Sequence, residues 1–155
     1  MSTVPPGQAM RFQRVLVPID FSADSLSALD VAHERFAHPQ ASLLLVHAAE
    51  GAVDAASDTE FVGRHAQLVQ ARADKLRAQL QALVGTREPA WRDVQVAVES
   101  GKPADVILAA AARFDASLAI MGAHGRTSLS RALFGGTTYH VARRLGCSVM
   151  VLRGA

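Results

Sequence analysis

Glycines, hydroxyls and arginines crowd residues 121–138. Met121-Gly122-Ala123-His124-Gly125-Arg126-Thr127 opens the stretch and Gly135-Gly136-Thr137-Thr138 closes it. A glycine straight after an apolar run lets the backbone turn sharply and lets a ligand approach the main chain. Glycines ahead of a helix leave its first N–H groups open. Those donors, with the positive end of the helix dipole, favour a phosphate. Thr137 and Thr138 add hydroxyls, and Arg126 and Arg131 add charge. The same residues would also build an ordinary tight turn, so the stretch by itself leaves both readings open. A second chemical group is Asp20, which ends the apolar run Val15-Leu16-Val17-Pro18-Ile19. Its carboxylate is placed either to accept hydrogen bonds from a ligand or to cap the helix that follows.

No catalytic constellation accompanies these groups. There is no nucleophile elbow and no carboxylate pair for acid–base work. Gly101-Lys102-Pro103 lacks both the glycine spacing and the Ser/Thr of a phosphate-binding P-loop. Any hydrolysis of a bound phosphate group should be slow and incidental, because a glycine loop can grip phosphates without holding a water in line. A phosphoacceptor role for Asp20 would need several acidic neighbours to hold Mg²⁺, and only Asp20 stands at this strand end. The six histidines show no metal-ligand spacing. His47 ends an apolar run and reads as a packing residue, whereas His124 faces either a phosphate or solvent. The one cysteine, Cys147, excludes an intrachain disulfide and reads as a small buried hydrophobe.

The elements that must position these groups alternate. Apolar runs at 14–19, 42–48, 118–121 and 149–152 read as buried strands, and Val94, Val96 and Val98 alternate with polar residues as a further one. Between them lie helical patterns. The first carries Leu26 to Phe36, with Ser22 and Asp24 as capping oxygens, and His38-Pro39 ends it. The longest recurs from Phe61 to Leu83, stopped by Gly85 and Pro89. Another starts at Pro103, and the last carries Val141, Ala142 and Leu145 and closes at Gly146. This alternation calls for a mainly parallel sheet with helices on both faces. Ligands then sit beyond the carboxyl ends of the strands, where the strand order reverses. The loops after Asp20, Ala48, Val98 and Met121 become the ones of interest.

Four elements in order resemble the universal stress protein family. Its nucleotide motif is two glycines two residues apart, then nine residues, then glycine and a small hydroxyl residue. Gly122, Gly125 and Gly135 keep that spacing. The opening Val15 to Ser22, the Gly101-Lys102-Pro103-Ala104 element and the valine-rich last strand match as well, so the likeness spans roughly residues 12–153. The resemblance implies an open five-stranded, mostly parallel sheet in the order 3-2-1-4-5, the adenine nucleotide alpha hydrolase-like fold. It implies ATP or AMP, with or without Mg²⁺, along the carboxyl edge. Pro18 and Ala48 would line the adenine pocket, and Asp20 would meet the ribose hydroxyls or the adenine edge. Met121 and Gly122 would border the ribose. Gly125, Arg126, Gly135, Gly136 and Thr137 would surround the phosphates. It also implies a homodimer that covers Val149, Met150, Val151 and Leu152 of an edge strand, and an unidentified signalling partner. Three residues depart from the pattern: Gly136 replaces a hydroxyl residue, Ser117 an acidic one, and Ser148 a proline.

Composition fits this picture. At 155 residues the chain has the size of one domain, with residues 1–11 expected as a flexible tail and 12–155 as the domain. Aromatics make up only 5%, so the core should be aliphatic. The net charge of +2 is spread without a basic stripe, which speaks against nucleic acid. The first residues carry no signal-peptide run and no stretch has the length to cross a bilayer, so a cytoplasmic setting is expected. The rival expectation is a dimeric interaction module of the same family that binds no nucleotide.

Overall fold

The computed structural model describes residues 12–49, 59–85, 91–125 and 134–153. Residues 1–11, expected as a tail, lie outside them. The chain runs β1 (Arg14–Pro18), α1 (Ala23–Phe36), β2 (Ser42–Ala49), α2 (Thr59–Gly85), β3 (Asp93–Ser100), α3 (Pro103–Phe114), β4 (Leu118–Gly122), α4 (Gly136–Arg144) and β5 (Ser148–Leu152). The sheet order is β3-β2-β1-β4-β5, as the family resemblance implied, and every pairing is parallel. The order reverses between the central strand, β1, and its neighbour β4.

Side chains of consecutive strand residues point to opposite faces, and both faces here are apolar. Val15, Val17, Leu43, Leu45 and Ile120 pack against Ala28, Leu29 and Ala32 of α1 and Leu80 of α2. Leu16, Leu44, Val46, Ala119 and Met121 pack against Val106, Ile107 and Ala110 of α3 and Val141 of α4. Burial on both sides explains why these strands read as unbroken apolar runs. Among the described residues no helix is long and apolar enough to cross a membrane.

Boundaries moved where side-chain chemistry outweighs periodicity. α1 begins at Ala23, ahead of the first apolar residue of its pattern, because the Ser22 hydroxyl accepts the Ser25 N–H at 3.2 Å and caps the helix. α4 ends one residue before the expected closure. Leu145 itself turns to extended backbone (ψ 136°), so Gly146 is not needed as a left-handed cap. β3 starts at Asp93, whose carboxyl is held below the usual range by the Ser42 hydroxyl on the neighbouring strand.

Candidate functional site

The first shoulder of the site is the turn that follows β1. The Ile19 N–H still donates to Val46 O at 2.8 Å. Beyond it the chain leaves the sheet. Asp20 Oδ1 accepts the Ser22 N–H at 2.9 Å, and the Asp20 N–H donates to Ser25 Oγ at 3.4 Å. Between them Phe21 adopts φ +63°, the left-handed region that a non-glycine residue seldom occupies. His47, at the end of β2, is buried and donates its Nδ1–H to Ile19 O at 2.7 Å. Its ring centroid lies 5.3 Å from that of Phe21. Ile19 O can only accept, so the Nδ1 position carries the proton in this bond.

The second shoulder is built from glycines that do different jobs. A Cβ on Gly122 would lie 2.7–2.9 Å from the Asp24 and Ser25 atoms that open α1. The missing side chain therefore makes room for a helix, and the sequence reading of Gly122 as an opening for ligand is corrected to that extent. A Cβ on Gly125 would sit 2.7 Å from Asp20 Oδ2, so this glycine lets the carboxylate lie against the loop. Gly135 donates its N–H to Ala123 O at 2.6 Å. That N–H is engaged, which corrects its expected part as a phosphate donor. Gly135 is instead the N-cap of α4, and its carbonyl takes the Tyr139 N–H at 3.0 Å. Gly136, Thr137 and Thr138 fill the first turn, whose N–H groups have no intrahelical carbonyl to meet. Thr138, also expected to offer its hydroxyl outward, is buried and donates it to Gly122 O at 2.8 Å. A Cβ on Gly136 would meet nothing within 4 Å.

Between the shoulders lies a cleft of about 600 Å³ at the carboxyl ends of β1, β2 and β4, the size of a small-molecule site. Pro18, Asp20 and Ala48 line one side. Met121, Gly122 and Gly125, from the end of β4 and the loop after it, and Gly135, Gly136 and Thr137, from the start of α4, line it as well. Nine of the ten residues singled out as a nucleotide set thus converge. The tenth, Arg126, lies outside the described residues, as do Thr127 and Arg131. Sequence reading missed Val46, Ile107 and Pro103, which supply apolar wall, and Ser22 and Ser25 beneath Asp20. It also missed Arg72 of α2 and assigned His47 to packing alone, yet both line the cleft. Arg72 sits within the leucine pattern of the long helix and carries no local signal. His47 could have been found from its place at the end of an apolar strand on the ligand side.

His124 reaches the cleft from the glycine loop. Its N–H donates to Asp24 Oδ2 at 3.2 Å, with its Nδ1 3.7 Å from the same oxygen. The loop is therefore tied to α1 as well as to α4. Val149, Met150, Val151 and Leu152 form the half-buried β5 at the sheet edge. Cys147 just before it packs beside the α3–α4 core, and burial pushes its thiol up.

A parallel sheet in the order β3-β2-β1-β4-β5, flanked by helices and with a cleft at its strand reversal, defines an α/β protein of the doubly wound class. The universal stress protein family matches residues 11–153, and the chain belongs to that family. A universal stress protein of Thermus aquaticus is 31% identical over 143 residues, covering 92% of this chain and 99% of that protein. Two solved structures share the fold. A universal stress protein in complex with cAMP superposes with a TM-score of 0.66 at 22% identity, covering 94% of this chain and 99% of that one. An Arabidopsis thaliana family member with AMP bound gives 0.60 at 15% identity, with 92% of each chain covered.

Proposed function

We propose that the chain binds an adenine nucleotide, ATP or AMP, in this cleft, and that a β5-paired homodimer passes the occupancy of the site to a signalling partner. The observation that carries the reading is the pairing of an Asp20 carboxylate with the open first turn of α4 across one cleft. A nucleotide needs both ends: an acceptor for hydroxyl or amine donors and a cluster of donors for phosphate. In this reading Pro18 and Ala48 flank adenine, Asp20 takes the ribose hydroxyls or the adenine edge, and Met121 and Gly122 border the ribose. Gly125, Gly136 and Thr137 meet the phosphates, with Gly135 fixing where the helix begins. The AMP and cAMP held by two proteins of the same fold support the ligand class. Mg²⁺ would be carried by the phosphates, since among the described residues no three His, Cys, Asp or Glu side chains gather as a metal cluster. A protein reading ATP or AMP levels would work in the cytoplasm, where those nucleotides are held.

Isothermal titration of the purified chain with AMP, ADP and ATP, each with and without Mg²⁺, tests the reading. Saturable binding at one site per chain is expected. No binding of any of the three would overturn it in favour of an interaction module, a reading that Gly136 favours by removing one hydroxyl from the cradle. The edge position of β5 supports the dimer, because an exposed apolar strand edge invites pairing. A monomer in sedimentation at micromolar concentration would refute it.

A further inference from the structure

We infer that His47 is a positioning residue for Asp20, holding the carboxylate turn in its ligand-ready shape from the neighbouring strand. The inference rests on the nucleotide reading for its functional consequence but not for its geometry. β1 ends on Pro18, and Ile19 makes the last backbone bond to β2 through its N–H. Its carbonyl then meets a side chain, the buried His47 Nδ1–H at 2.7 Å. That bond anchors the residue immediately before Asp20. The residue immediately after it, Phe21, sits at φ +63°, a conformation that a non-glycine residue keeps only where its surroundings hold it. The His47 ring packs on Phe21 with centroids 5.3 Å apart and planes tilted by 55°. One imidazole therefore braces both neighbours of Asp20. Between the braces, Asp20 Oδ1 takes the Ser22 N–H at 2.9 Å, while Oδ2 lies beside Gly125. A residue that only filled space would have no use for the nitrogen it places on Ile19.

The distinction rests on which ring atom is mimicked. Asn carries its amide nitrogen near the place of Nδ1, whereas Gln carries it further out, near Nε2. His47→Leu, His47→Asn and His47→Gln are compared with the unaltered chain, by amide hydrogen exchange of the ligand-free protein and by titration with AMP. The Ser22 amide reports the turn directly, because it is the donor to Asp20. In His47→Leu it should exchange about tenfold faster, as expected for losing one buried hydrogen bond, while the Ile120 amide of β4 stays protected. AMP affinity should fall by a similar factor. His47→Asn should recover most of both effects, and His47→Gln should recover neither. Unchanged Ser22 exchange in His47→Leu, or equal behaviour of the Asn and Gln variants, would overturn the inference. If the unaltered chain binds no AMP, the nucleotide reading fails, and the exchange data still decide the role of His47.

Discussion

The two lips of the cleft are held by opposite means. The Asp20 lip depends on side chains that are present: the Ser22 and Ser25 hydroxyls, the His47 imidazole and the Phe21 ring. The glycine lip depends on side chains that are missing, since α1 occupies the space beside Gly122 and the Asp20 carboxylate the space beside Gly125. The contrast teaches that the motif glycines are not equivalent. Gly122 belongs to the architecture, Gly125 to the site, Gly135 to the helix cap, and Gly136 is unconstrained by its surroundings.

Substitutions can break this contrast one position at a time. The largest loss of stability should come from Gly122→Ala, whose methyl would meet α1 backbone. Urea unfolding should show a loss of about 2–3 kcal/mol, and a change near zero would mean that α1 can shift freely. Ser22→Ala should cost about 1 kcal/mol in the same experiment, the usual worth of a helix N-cap. Gly125→Ala should behave differently. Its methyl meets only the far end of the Asp20 side chain, so stability should change by less than ~1 kcal/mol while nucleotide affinity, read by titration, drops about tenfold or more. Equal loss of stability in Gly122→Ala and Gly125→Ala would erase the division of labour. The smallest effect should be a gain. Gly136→Ser fits into open space and restores the hydroxyl, so the thermal midpoint should rise slightly and AMP should bind up to about tenfold tighter. Weaker binding would show that the hydroxyl has no place at this position.

Much of this was legible in the sequence because it is local. Apolar runs mark the strands, and Pro103 marks the start of α3. The glycine spacing marks the loop after β4. What escaped is long-range pairing. Nothing near Gly135 announces that its N–H will be taken by Ala123, and nothing near Thr138 announces that its hydroxyl will turn back to Gly122. Phe21 shows the same limit: its left-handed backbone depends on His47, which is brought to it only when β2 pairs beside β1. Arg72 reaches the cleft from within a helix whose apolar pattern, Phe61 to Leu83, marks where Leu80 is buried and gives no sign of the arginine's place.

The central place of β1 has a consequence for synthesis. Its far neighbour is separated by almost the whole domain: the Arg14 N–H bonds to Ser117, 103 residues on. A ribosome adding roughly 5–20 residues per second would leave that margin of the nascent sheet unpaired for about 5–20 seconds. For this chain the vulnerable interval falls before β4 emerges.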